Sequence, residues 1–240
     1  MAVTSYASYE IRKWFRDSFS VFMLGYFLMM GIIGRYLVPV VGSRFPMPIA
    51  PYYPAVLAAL VIFASRIIAG VAAFSLLDDR DDNVLLAVKV APMSLEAFIG
   101  VKMGLIYLIS LGGGVFVLWF SQLVELSLGT MLTIAAVTAL GSPIFALLIN
   151  CVASNKIEGF AAIKGLNIFV ILPVVALFIR GNAEFAFAFE PSFWPVKALA
   201  VAIGSPVTSA QLSYGTYLGV GTIYSLAVLA AVYTVFKRRA

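Results

Sequence analysis

Six apolar runs, each long enough to cross a bilayer, constrain this chain more than any other feature. About 20 predominantly apolar residues make a helix that spans the hydrocarbon core. The candidate spans are roughly Phe19–Val41, Pro54–Leu77, Glu96–Gln122, Leu128–Val152, Gly159–Ile179 and Tyr214–Phe236. The fold class that follows is an all-α polytopic membrane protein, a single transmembrane domain over 1–240 with no soluble domain of useful size outside the spans. Composition agrees. The 240 residues are 62% hydrophobic and 11% charged, with mean hydropathy +1.04, whereas a soluble domain is about a quarter charged.

Charge placement sets an expected orientation. Cytoplasmic loops are enriched in Lys and Arg. With the N-terminus inside, eleven cations fall on the cytoplasmic side: Arg12, Lys13, Arg16, Arg80, Lys89, Lys102, Lys156, Lys164, Lys237, Arg238 and Arg239. Four fall outside: Arg35, Arg44, Arg180 and Lys197. Six spans then return both termini to the cytoplasm. The net charge of +5 is therefore read as membrane-orienting charge, and no nucleic-acid partner is expected. The chain has no histidine, which removes His-based catalysis and His metal ligands, and its single Cys151 excludes an internal disulfide. No cleaved signal peptide is expected, because the first apolar run is too long.

Two segments outside the spans carry their own signal. Residues 5–19, SYASYEIRKWFRDSF, interleave aromatics with cations. This predicts an interfacial helix at about 5–17, lying on the inner leaflet. The outer segment at about 181–213 contains FWPVKALAVAIG, which is too short to span and is expected to be re-entrant or surface-lying.

LLDDRDDNVLLAVKVAPMS at 76–94 gathers four of the chain's eleven carboxylates. Asp78, Asp79 and Asp82 match D-D-x-x-D, a Mg²⁺-diphosphate pattern, and hard cations favour carboxylate oxygens. One reading is thus a Mg²⁺-dependent membrane prenyl or lipid transferase using Asp78–Asp82. No second acidic cluster completes such a site, and no metal is expected in this chain. Capping explains the acids more economically. Asp81 or Asp82 can cap a short helix over 83–90, Pro92 ends it, and Ser94 caps the next helix with Glu96 in its first turn. The apolar surface of that short helix marks a membrane-lying helix or a protein interface.

Other residues stand out within the spans. Arg66 lies near the middle of the second span, where a cation costs about 2.5–3.5 kcal/mol on insertion scales. It is either a translocation-path charge or a donor to neighbouring carbonyls, and no mid-span carboxylate is available to pair with it. A stand-alone channel or carrier is a further alternative, but that class buries more ionisable groups at the midplane. Pro143 and Pro173 predict kinks or hinges in the fourth and fifth spans. Gly112–Gly114 and Gly25, Gly31 and Gly34 predict close helix approach. Asn155 and Glu158 have capping-box spacing. Phe116, Trp119 and Phe120 either form an outer aromatic belt or line a path.

Three blocks in order resemble type-2 ABC transporter permeases, specifically those labelled drug or fluoroquinolone exporters. LLDDRDDNVLLAVKVAPMSLEAFIGVKMG is similar to the loop between their second and third spans, with Pro92, Met93, Ser94 and Lys102 matching. SNKIEGFAAIKGLNIFVILPVVALFI resembles their entry into the fifth span through Asn155, Lys156, Glu158, Gly159, Lys164 and Pro173. PSFWPVKAL resembles their outer Pro-x-x-Trp-Pro segment. The resemblance implies a half-transporter, paired with an identical or different permease in the plasma membrane of a prokaryote, above separate ATP-binding subunits that hold ATP and Mg²⁺. It implies that the loop at about 78–94 is a coupling helix and that 6–17 is an elbow helix. Asp79, Asp82, Leu86, Pro92, Met93 and Ser94 are the implied ATPase-docking residues, with Asn155 and Glu158 as a secondary contact. No G-x-x-x-x-G-K-[ST] occurs in the sequence, so this chain is not expected to bind ATP through a P-loop or to be an enzyme.

Overall fold

A computed structural model describes residues 2–84, 88, 94–204 and 206–239, and at 2–4 and 19 the backbone alone. Among the described residues all regular structure is helical. Six helical segments are long and apolar enough to cross a membrane. They are span 1 (Ser20–Gly42), span 2 (Ala50–Asp81), span 3 (Leu95–Ser121), span 4 (Leu128–Val152), span 5 (Lys156–Ala176) and span 6 (Tyr214–Lys237). Each lies within a few residues of its expected position, because the length of an apolar run is a local property of sequence.

Spans 2 and 4 form the centre. Their apolar windows are 78% and 72% buried, against 17%, 22% and 11% for spans 1, 5 and 6. Span 2 packs on span 3 and on the second half of span 4, and span 6 closes against that same half. Span 1 lies along span 3 at a glycine seam. A Cβ on Gly113 would sit 2.3 Å from the Phe27 ring, and one on Gly34 would sit 2.6 Å from Ser121 Cβ. No side chain larger than hydrogen allows these approaches, which is how small residues drive helix association where lipid is as apolar as Leu.

The proline-bearing spans are interrupted where a backbone donor is missing. Span 4 breaks between Ala139 and Gly141, just before Pro143. Span 5 passes through a 3₁₀ segment, Asn167–Val170, ahead of Pro173. Span 1 contains a π-helical turn, Ile33–Leu37, ahead of Pro39.

The N-terminal helix runs from Ala2 to Arg16 and packs against span 3. Asp17 then caps the start of span 1 by accepting the Ser20 N–H at 2.9 Å. The short apolar helix Phe193–Ile203 is too short to span and is buried from Phe193 to Ala200 against spans 6, 4 and 2. A wholly buried ion pair fastens it: Lys197 Nζ donates to Glu184 Oε2 at 2.7 Å and to the Ser209 carbonyl at 2.7 Å. The Tyr217 hydroxyl of span 6 also donates to Glu184.

The acidic stretch differs from its expected capping role. Asp78, Asp79 and Asp81 belong to the last turn of span 2, and Asp82 is its C-cap. The Asp82 N–H donates to the Asp78 carbonyl, and Asn83 takes a left-handed φ of 58° to end the helix. Carboxylates at a helix C-terminus oppose the helix dipole, so pairing with lysines, not capping, stabilises Asp78 and Asp79. Of the expected short helix, only 84 and 88 are described as helical. Leu86, Pro92 and Met93 lie outside the described residues. Ser94 does cap span 3, accepting the Ala97 N–H at 3.2 Å.

Candidate functional site

Helical periodicity builds the first site. Tyr6, Glu10 and Lys13 recur at i, i+4 and i+7, so they share one face of the N-terminal helix. Ser75 and Asp79 share a face of span 2 by the same rule. Lys102 meets both faces from the first turns of span 3. Its ammonium lies 2.7 Å from Glu10 Oε1, 2.5 Å from Asp79 Oδ2 and 2.7 Å from Ser75 Oγ. Ser75 Oγ donates to Glu10 Oε1 at 2.9 Å, and the Tyr6 hydroxyl donates to Glu10 Oε2 at 3.1 Å. Lys13 completes the cluster at 3.0 Å from Asp79 Oδ1.

Two carboxylates thus face two ammonium groups at the end of the bundle that carries both termini. Lys102 and Glu10 are 0% and 1% exposed, so neither charge is solvated by water. Such a cluster is tolerable only when every charge is paired, because an unpartnered buried ion is strongly destabilising. Burial pulls the Lys13 ammonium down, but the neighbouring Asp79 carboxylate outweighs it and holds the pKa above the usual lysine value. Burial, with the nearby Glu10 and Asp79 charges, pushes the Tyr6 phenol well above its ordinary range.

This geometry revises three readings of the sequence. Asp79 turns inward and is 5% exposed, so it does not present its carboxylate to a partner. Asp82 and Ser94 are exposed. Lys102, counted among the cytoplasmic cations, is a buried ion-pair partner. Glu10, which reads in sequence as an isolated carboxylate, is joined to Asp79 through a common lysine. The signal was present: Glu10 is the one acid in a cationic helix, on the same face as Tyr6 and Lys13. Asp78 pairs instead with Lys156 at 2.7 Å, at the start of span 5. Both acids of the D-D pair are therefore engaged by lysines, which accounts for them without a metal.

Asn155 and Glu158 form the cap expected of their spacing. Asn155 Oδ1 accepts the Glu158 N–H at 3.0 Å, and Glu158 Oε2 accepts the Ser154 N–H at 2.7 Å. Glu158 is exposed and Asn155 is half-buried. Glu96 reaches Lys237 at 2.5 Å, tying span 3 to the end of span 6.

Arg66 forms the second site. It is 6% exposed and is not without a carboxylate, as its span suggested. Its Nη2 donates to Glu190 and, at 3.1 Å, to Ser192 Oγ. Glu190 Oε2 also accepts the Ser192 N–H at 2.6 Å. The guanidinium stacks 4.6 Å over the Phe145 ring. Glu190 comes from the connection after span 5, which folds back among the helices, so reading the spans alone could not pair it with Arg66.

Three cavities meet along spans 2 and 5. One of ≈330 Å³ lies at the termini-bearing end and is lined by Lys13, Asp78 and Lys156. It shares Val71, Phe74 and Phe160 with a second of ≈130 Å³, which reaches Arg66 and Asn167. Arg66 in turn borders a third of ≈220 Å³, which ends at Glu190 and Pro191. A charged or polar side chain lines each of the three cavities. Phe116, Trp119 and Phe120 lie apart from them, at the far end of span 3, where Phe116 and Phe120 stack at 5.1 Å and Arg35 lies over Phe120.

Comparison with known proteins matches nearly the whole chain. Residues 10–233 match the family model described as fluoroquinolones export permease protein Rv2686c-like. The fluoroquinolones export permease protein Rv2686c of Mycobacterium tuberculosis strain H37Rv is 28% identical over 249 residues, covering 99% of this chain and 95% of the relative. The fluoroquinolones export permease protein MT2760 of strain CDC 1551 matches to the same extent.

Proposed function

The chain belongs to the Rv2686c-like fluoroquinolone export permease family, and from that premise we propose that it is the membrane-spanning subunit of an ATP-driven drug exporter. The observation that carries this reading is the family match over 10–233. In this reading two permease copies, identical or not, enclose the translocation path in a bacterial plasma membrane, with both termini in the cytoplasm. Separate subunits bind ATP and Mg²⁺, since this sequence contains no P-loop motif. The cargo is a fluoroquinolone or a similar amphipathic aromatic drug.

The loop after span 2 is the docking element. Exposed Asp82 and Ser94 flank it, and Leu86, Pro92 and Met93 belong to the same loop. Asn155 and Glu158 provide a second contact on the same side. Acidic groups at such a surface set register and partner choice more than raw affinity. Asp79 acts behind the surface. Through Lys102 and Lys13 it ties the end of span 2, which leads into the docking loop, to the N-terminal helix and span 3. A push on the loop therefore moves three elements together. ATP drives alternating access only insofar as the ATPase binds the inward and outward states differently. Arg66 lies on the route the cargo takes.

The test is reconstitution in liposomes with a candidate ABC-type ATP-binding subunit from the same genome. ATP-dependent movement of a fluoroquinolone, lost when either subunit is omitted, is the expected result. Transport that proceeds without any ATPase would overturn the reading in favour of an ion-coupled carrier.

A further inference from the structure

The ≈330 Å³ cavity at the termini-bearing end has an unusual lining. Ligand pockets for drug-sized molecules run from about 300 to 1,000 Å³, so it is large enough for one small ring system. Its charges balance: Lys13 and Lys156 line it, and so do Asp17 and Asp78. Half of the rest of the wall is aromatic, with Trp14, Phe74 and Phe160 beside Val71, Ser20 and Ser75. The Phe74 and Phe160 rings lie 4.5 Å apart, tilted by 44°. Trp14 is 2% exposed, and its indole N–H finds no acceptor among the described residues.

We propose that this cavity is the entry site for a flat aromatic zwitterion, which lies against Phe74 and Phe160 and exchanges ion-pair partners with the paired lysines and aspartates. The choice of ligand rests on the drug-export reading; the charge argument does not. Lys156 is already paired with Asp78, and Lys13 with Asp79. Lys156 and Asp78 are 52% and 34% exposed, so their pair is weak and yields easily to a ligand, and an anion alone would meet only half of the charges that line the cavity. A zwitterion brings a carboxylate for the lysine and an ammonium for the aspartate, so no charge is left over. The Phe74 and Phe160 rings add an aromatic contact surface. From this cavity the shared wall of Val71, Phe74 and Phe160 leads toward Arg66. A zwitterionic phospholipid headgroup carries the same charge pair, but it has no ring to meet the aromatic wall.

The test is equilibrium binding of radiolabelled norfloxacin, which carries a carboxylate and an amine, to the full chain in nanodiscs without any ATPase. Nalidixic acid, a related ring with the carboxylate and no basic amine, is the control. Saturable norfloxacin binding, tighter than nalidixic acid, is expected. Phe160→Ala, at a half-exposed position, should weaken norfloxacin by about fivefold or more, the worth of an aromatic contact. Asp78→Asn should weaken norfloxacin and not nalidixic acid. Equal binding of both compounds, or binding that neither variant changes, would overturn the proposal. So would loss of norfloxacin binding when phosphatidylethanolamine replaces phosphatidylglycerol in the nanodisc, which would assign the cavity to lipid. Binding that survives while ATP-driven export fails would sink the exporter reading alone; export that proceeds without binding here would sink this site alone.

Discussion

Lys102 Nζ lies 2.7 Å from Glu10 Oε1, and both side chains are buried from water. The pair fastens the N-terminal helix to span 3, and Lys102 reaches Asp79 of span 2 at the same time. Removing one member of a buried pair costs about 3–5 kcal/mol, because the other is left uncompensated. Lys102→Met strands two carboxylates beside Lys13 alone. Glu10→Gln leaves Asp79 with both lysines. Thermal unfolding in detergent should therefore place Lys102→Met well below Glu10→Gln, with both below the parent protein. Equal midpoints would mean that the cluster is not energetically coupled.

Arg66 and Glu190 should behave as a unit. Coupled contacts give interaction energies of about 0.5–3 kcal/mol in double-mutant cycles. Arg66→Ala and Glu190→Ala should each destabilise the protein, and the double variant should lose less than their sum. Arg66→Lys should not restore the parent stability, since an ammonium lacks the planar fork and the stacking on Phe145. Additive losses in the cycle would refute the pairing.

Asp79 and Asp82 are three positions apart and should differ in kind. Asp82 is exposed, so Asp82→Lys should weaken co-purification of the ATP-binding subunit and leave the thermal midpoint unchanged. Asp79→Lys should lower the midpoint of the permease by itself, because it places a third ammonium against Lys13 and Lys102. Pull-down together with melting curves separates the two effects.

Asn155 caps the start of span 5 through the Glu158 N–H. Asn155→Ala should cost about 0.5–2 kcal/mol, the usual worth of such a cap, and Asn155→Ser should restore most of it. Chemical denaturation of the three proteins is the measurement. A full loss that Ser does not rescue would point to a role for Asn155 beyond capping.

The fold was largely legible in the sequence. The span boundaries follow from apolar run length and from local caps such as Ser94; the structure adds Ser127 and Ser213 as caps of the same kind, each acting over three residues. The proline interruptions were equally local. The candidate site was legible only in part. Asp78 and Asp79 stood out as acids, and Arg66 stood out as a mid-span cation. Their partners did not, because helix periodicity says which residues share a face and not which face another helix will meet. Asp79 therefore read as a surface acid when it is an internal one, and Asp81 or Asp82 read as an N-cap when Asp81 ends the preceding helix and Asp82 is its C-cap.

The sequence by itself determined that this chain is a bundle of six apolar helices, since the cost of exposing backbone to lipid depends only on the segment that crosses it. It also carried the family, through blocks of residues in order along the chain. Only the tertiary structure decided how the charges are neutralised. Glu10 is separated from Lys102 by 92 positions, and Arg66 from Glu190 by 124. A buried charge must find an opposite charge within a few ångströms, and packing alone brings such distant residues together.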